Sequence, residues 1–172
     1  MVLVLTVLIC LLMLILAYQD FASRKVLFIL MPILFSLLIY RGIIENEFKV
    51  ILTNTAINLI FILIQFLILT IYFSLKNKKF LNIIDNYIGI GDLLMFIVLS
   101  CCFAVFNFIV FIILSLSLLL LIYTFGILFK KIENKKIPLA GFLAVVFVIF
   151  DITLRILGYN FFSDNLLMLY NG

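Results

Sequence analysis

Charged side chains cut this chain into long apolar stretches: residues 1–19, 26–40, 50–75, 93–129 and 137–150 contain no Asp, Glu, Lys or Arg. A helix that crosses a bilayer needs about 20 apolar residues at about 1.5 Å each. The first and third stretches each suit one such helix. The fourth, at 37 residues, is too long for one and suits two, with a tight turn expected at Asn107 in its middle. The second and fifth reach spanning length once charges near their ends are tolerated. Residues 26–44 then include Arg41, whose long stem can snorkel to the interface. Residues 137–157 include Asp151 and Arg155, which fall at i,i+4 spacing on one helix face. The pattern therefore predicts six helices, near 2–19, 26–44, 50–75, 90–106, 108–129 and 137–157.

Composition turns those helices into membrane spans. Hydrophobic residues make up 68% of the chain and charged residues 12%, against roughly a quarter charged in an ordinary soluble domain. A water-soluble globule is excluded, and the lipid bilayer becomes the expected solvent. With no linker, low-complexity tract or repeat, residues 1–172 read as one membrane-embedded domain. Short cytoplasmic loops are enriched in Lys and Arg. The loops after the first, third and fifth helices carry Arg24, Lys25, Lys76, Lys78, Lys79, Lys130, Lys131, Lys135 and Lys136, whereas the opposite side has only Arg41, Lys49 and Arg155. Both termini are therefore expected outside. The first helix has neither a basic n-region nor a clear small-x-small cleavage site, so it reads as a permanent span.

The same placement of charge explains the net +4 as membrane topology, so no nucleic-acid partner is expected. The chain has no His and no Trp, and Cys10, Cys101 and Cys102 form no C-x-x-C pair. This argues against a His-ligated zinc site, a Cys-rich metal module and Ser-His or Cys-His proteolysis, and no metal or cofactor is expected. The cysteines read as small apolar residues within helices.

Chemistry is left to eight acidic residues. Glu45, Glu47, Asp151 and Asp164 are expected outside, and Asp20, Asp85, Asp92 and Glu133 on the cytoplasmic side. Asp20 follows the first apolar stretch and Asp92 opens the fourth, so both are expected at one membrane level. An ionisable group there is costly unless it is paired, hydrated or used. Two carboxylates that meet share a proton, giving one acid and one base, as in aspartic proteases. Gly89 and Gly91 flank Asp92 with bare backbone that an extended peptide could approach, and a position near a helix N-terminus favours the ionised form. A glycine turn with an Asp cap is the plain alternative. Asp85 ranks below Asp92 because it lacks the glycines. Thr53, Asn54, Thr55, Asn58 and Gln65 are expected to hydrogen-bond between helices.

Gly89-Ile90-Gly91-Asp92 at the mouth of the fourth helix resembles the GxGD motif of the type IV prepilin peptidases, membrane aspartic proteases that include archaeal preflagellin peptidases. Asp20-Phe21-Ala22-Ser23-Arg24-Lys25-Val26 is similar to that family's first-aspartate segment. Ile137-Pro138-Leu139-Ala140-Gly141-Phe142-Leu143-Ala144 is similar to the start of its last helix, where a proline in the first turn loses no needed hydrogen bond. The resemblance implies a six-helix GxGD protease bundle that removes the basic leader of a prepilin-like or pseudopilin-like membrane protein at the cytoplasmic face. It implies Asp20 and Asp92 as the catalytic pair, with Gly89, Gly91 and Pro138 shaping the site. Helix number and order match across almost the whole chain, but the recognisable motifs cover only about twenty residues.

Three departures matter. The N-methyltransferase domain of many bacterial members, with its paired C-x-x-C motifs, has no counterpart here, so methylation is not expected. Leu27 and Phe28 follow Val26 where the family has Pro or Ser and then Asn, and Leu94 stands where a Lys is frequent. The presenilin and signal-peptide-peptidase group also uses GxGD, but Gln19 separates Tyr18 from Asp20, Pro138-Leu139-Ala140 has the wrong order for its Pro-Ala-Leu segment, and six helices are too few. A cation transporter or a non-catalytic scaffold using the same acidic residues stays open. On the transport reading, no second carboxylate is expected at mid-membrane.

Overall fold

A computed structural model describes residues 1–23, 27–79, 88–128, 137–158 and 161. Among these residues there are six helices: α1 (Val2–Ser23), α2 (Leu30–Glu45), α3 (Phe48–Asn77), α4 (Ile90–Ser100), α5 (Val105–Leu128) and α6 (Leu139–Ile156). Helices α1, α3, α5 and α6 are long and apolar enough to cross a membrane. At about 1.5 Å per residue, the 16 residues of α2 and 11 of α4 fall short of a full span.

The most extensive packing is between α1 and α6, and α4 also contacts α2, α3 and α6. Along α1 the buried residues Leu5, Ile9, Met13, Leu16, Ala17 and Asp20 recur every three or four positions, which places them on one face. That face meets the buried Ala140, Gly141, Leu143, Ala144, Phe147 and Val148 of α6. Small residues let the two backbones approach closely, which in lipid supplies the van der Waals contact that drives helix association. The outward faces along the middle of α3 and α5 are apolar: Leu63, Ile64, Leu67 and Ile68 on α3 and Leu120, Leu121 and Ile122 on α5 are all exposed. Hydrocarbon is the solvent that such faces fit.

Three element boundaries shift by three residues or more from the sequence reading. Helix α1 runs on to Ser23 rather than ending near 19, which places Asp20 within the helix. Helix α2 starts at Leu30 rather than near 26, after a turn at residues 28–29. Pro32 falls within the first turn of that shorter helix, where its missing N–H costs nothing; seven residues into a longer one it would break a bond and clash. The turn between α4 and α5 lies at Cys101–Ala104, and Asn107 is instead a fully buried residue of α5 whose Nδ2 donates to the Phe161 carbonyl at 3.0 Å. Irregular backbone inside an apolar bundle needs partners. Here Asn58 of α3 supplies them, donating to the carbonyls of Ser100 (2.9 Å) and Phe103 (3.0 Å), while the Ala104 N–H bonds Phe161 O at 3.0 Å. The Phe103 ring then packs on Phe111, Phe147 and Phe161.

Candidate active site

The first turn of α6 organises the site. Its opening amides have no partner within the helix and must find acceptors elsewhere. Pro138 is the N-cap residue, one position before the helix, and its carbonyl accepts from Phe142 N–H at 3.1 Å; Leu139 N–H bonds Ile137 O at 3.0 Å. Between them, the Ala140 N–H donates to Asp92 Oδ1 at 2.8 Å and the Gly141 N–H to Asp20 Oδ2 at 2.6 Å. Carboxylates from α1 and α4 thus cap α6 on consecutive amides.

Each aspartate reaches this point by a different local route. Asp92 is the third residue of α4, and its Oδ2 turns back to accept from Gly89 N–H at 3.2 Å. Two helix N-termini therefore converge on one carboxylate, each favouring negative charge. A Cβ on Gly89 would lie 3.2 Å from that same oxygen, so the bare backbone there makes room for the carboxylate itself. Gly91 is half-buried one residue before Asp92. Asp20 sits in the last turn of α1, the end of a helix where negative charge is unfavourable. It is only 7% exposed, and the N-terminus of α6 supplies the positive end that α1 lacks.

Glycine at 141 is what lets Asp20 in. A Cβ built there would stand 3.0 Å from the Asp20 Cβ and 3.1 Å from both the Ala17 carbonyl oxygen and Asp20 Oδ2. Ala140 and Gly141 fall within the Ile-Pro segment, but the sequence reading named only Pro138 of that segment as shaping the site.

A second polar cluster lies about 15 Å from Gly141 along α6. Arg41 does not snorkel: it is 2% exposed, and its Nη1 and Nη2 donate to Asp151 Oδ2 (2.9 Å) and Oδ1 (2.7 Å). A guanidinium amid apolar helices is better satisfied by a two-pronged carboxylate than by a long reach to water. The expected Asp151–Arg155 pair forms at 3.3 Å, and Glu45 Oε1 accepts from Arg41 Nε at 3.4 Å and Arg155 Nη2 at 3.1 Å. Two cations and two anions make a neutral net, which the Phe161 ring adjoins at 5.3 Å from Arg41 Cζ. Asp151 is fully buried within α6 and held by Arg41 and Arg155.

Of the cysteines, Cys101 and Cys102 are buried and donate to Val98 O, as packed residues of the α4–α5 turn. The Cys10 thiol points at Asp151 Oδ2, 3.9 Å away. Within α3, Thr53 and Thr55 bond carbonyls of their own helix rather than a neighbour's, and Asn58 alone of the five polar residues named has a described hydrogen bond to another segment. Arg24, Lys25, Asp85, Lys130, Lys131, Glu133, Lys135, Lys136 and Asp164 lie outside the described residues.

No protein-family model matches the chain, and neither does any curated protein or solved structure.

Proposed function

We propose that this protein is a membrane aspartic endopeptidase of the type IV prepilin peptidase kind, with Asp20 and Asp92 as its catalytic pair. The observation that carries the reading is the convergence of these two carboxylates, far apart in sequence, on consecutive amides of α6. The residues that meet there are those of the GxGD, first-aspartate and Ile-Pro segments.

In this reading the six helices form one membrane bundle with both termini outside, and the pair faces the cytoplasm of the cell's inner membrane. The substrate is a prepilin-like or pseudopilin-like protein whose basic leader stays in the cytoplasm while its apolar helix is held in lipid. The scissile bond is thereby presented at the level of the pair. Two neighbouring carboxylates hold one proton between them. The ionised one takes a proton from water as the water oxygen attacks the peptide carbonyl, and the protonated one gives its proton to the carbonyl oxygen; as the tetrahedral intermediate collapses, the first carboxyl passes the water-derived proton to the departing amine and the second recovers its own from the hydroxyl. The α6 amides steady the negative charge of the pair throughout.

A second reading is favoured by the same contacts: as caps of α6, the two aspartates hold the bundle together without performing chemistry. Co-expression with a C-terminally tagged prepilin-like substrate separates the two. Wild type is expected to release the leader at one bond, found by sequencing the product's N-terminus, while Asp20→Asn and Asp92→Asn release none. Leader removal that persists in either variant contradicts a catalytic pair.

A further inference from the structure

We propose that Gly141 is a positioning residue for the carboxylate pair: its bare Cα sets the distance of α1 from α6, and so the separation of Asp20 from Asp92. This rests on the peptidase reading above and adds to it the device that holds the pair in register.

Asp20 and Asp92 are carried by different helices, and α6 packs against both. The Ala140 and Gly141 amides are adjacent on one chain, so two carboxylates bound to them are set side by side by the covalent spacing of α6 rather than by α1–α4 packing. On the Asp92 side the contact is end-on, from the first turn of α4. On the Asp20 side it is lateral, with α1 lying against α6, and there the approach is limited by whatever residue 141 carries. A methyl at this position meets the Ala17 carbonyl oxygen and the Asp20 Cβ at about 3 Å. The first of these is backbone and cannot rotate away. Relief comes from a small outward shift of α1, which draws Asp20 off its amide and away from Asp92 while leaving the α4 side untouched.

The sign of this effect distinguishes positioning from packing. If residue 141 only fills space, adding a methyl lowers stability, and a longer acid at position 20 makes matters worse. If it sets the reach of Asp20, a glutamate is too long against Gly141 but suits the wider gap left by alanine.

The test measures leader cleavage per folded protein for purified wild type, Gly141→Ala, Asp20→Glu, the double variant, Ala140→Pro and Asp20→Asn, reconstituted with a prepilin-like substrate. Gly141→Ala is expected to lower kcat at least tenfold with KM within twofold of wild type. The Gly141→Ala/Asp20→Glu protein is expected to exceed both single variants. Ala140→Pro removes the amide that holds Asp92, in a helical turn that tolerates proline, and is expected to lower kcat to a similar degree. Wild-type kcat in Gly141→Ala, or a double variant no better than its parents, overturns the positioning role; so does wild-type kcat in Ala140→Pro if Gly141→Ala does not fold. In those cases an inert Asp20→Asn leaves the peptidase reading standing. A folded wild type that does not cleave, or an Asp20→Asn that does, overturns the peptidase reading itself.

Discussion

Arg41 is the residue whose environment departs furthest from what its type suggests: a guanidinium almost wholly enclosed, answered by Asp151 with a carboxylate that is 0% exposed. Removing one member of such a pair strands the other. Arg41→Leu is therefore expected to lower unfolding free energy by about 3 to 5 kcal/mol. Arg41→Leu/Asp151→Leu, which leaves Arg155 and Glu45 to each other, is expected to recover most of that loss. Denaturant titration in micelles reads both values, and a double variant no more stable than the single one would show that the net does more than neutralise itself. The Asp151–Arg155 pair was legible in the sequence, because i,i+4 spacing is a local fact. The partner of Arg41 was not, since it lies 110 positions away and depends on how α2 is turned against α6. The meeting of Asp20 and Asp92 was legible for the opposite reason: one follows an apolar stretch and the other precedes one, which puts both at the same end of the bundle, and the flanking glycines set Asp92 apart from Asp85.

Among the elements, α6 links the packing of the bundle to the geometry of the site. Its first turn lacks internal acceptors for two amides, and the acids of α1 and α4 complete it. The claim that α1 and α4 meet there can be checked without any activity. With Cys10, Cys101 and Cys102 replaced by alanine, Asp20→Cys and Asp92→Cys together are expected to be joined by a short bis-methanethiosulfonate within one chain, seen as a faster-running band. Asp20→Cys with Thr53→Cys, on the far part of α3, should give no such band. Failure of the first pair under conditions where the reagent labels both thiols would contradict the convergence. Helix number and order were readable from the charge-free stretches. The place of the α4–α5 break was not, because Asn107 is the obvious turn former in its stretch, whereas the actual turn is held by Asn58 and Phe161, both remote in sequence. Gly141 was hidden for a related reason: its value lies in the absence of a side chain opposite another helix.

At the scale of the whole molecule, two centres of buried charge sit in the bundle among the described residues, and they are built differently. The Arg41–Asp151 net is charge-balanced among its own members. At the aspartate pair, like charges are brought together and no Lys or Arg is among the described hydrogen-bond partners of either carboxylate. Backbone amides and helix N-termini steady the charge while leaving a proton free to move. That contrast is what favours chemistry at the pair and structure at the net. The most direct measurement compares asparagine and alanine at the two positions in purified protein reconstituted into liposomes with a prepilin-like substrate. An asparagine oxygen still accepts from the α6 amide but neither gives nor takes a proton, whereas alanine removes the cap as well. Asp20→Asn is expected to unfold close to wild type and Asp92→Asn, which loses its acceptor for Gly89 N–H, slightly more easily; both are expected to cleave about 10²- to 10⁴-fold more slowly, with the alanine variants equally inactive and less stable still. Asparagine variants that stay folded and cleave at the wild-type rate would contradict a catalytic pair and leave the two aspartates as caps of α6.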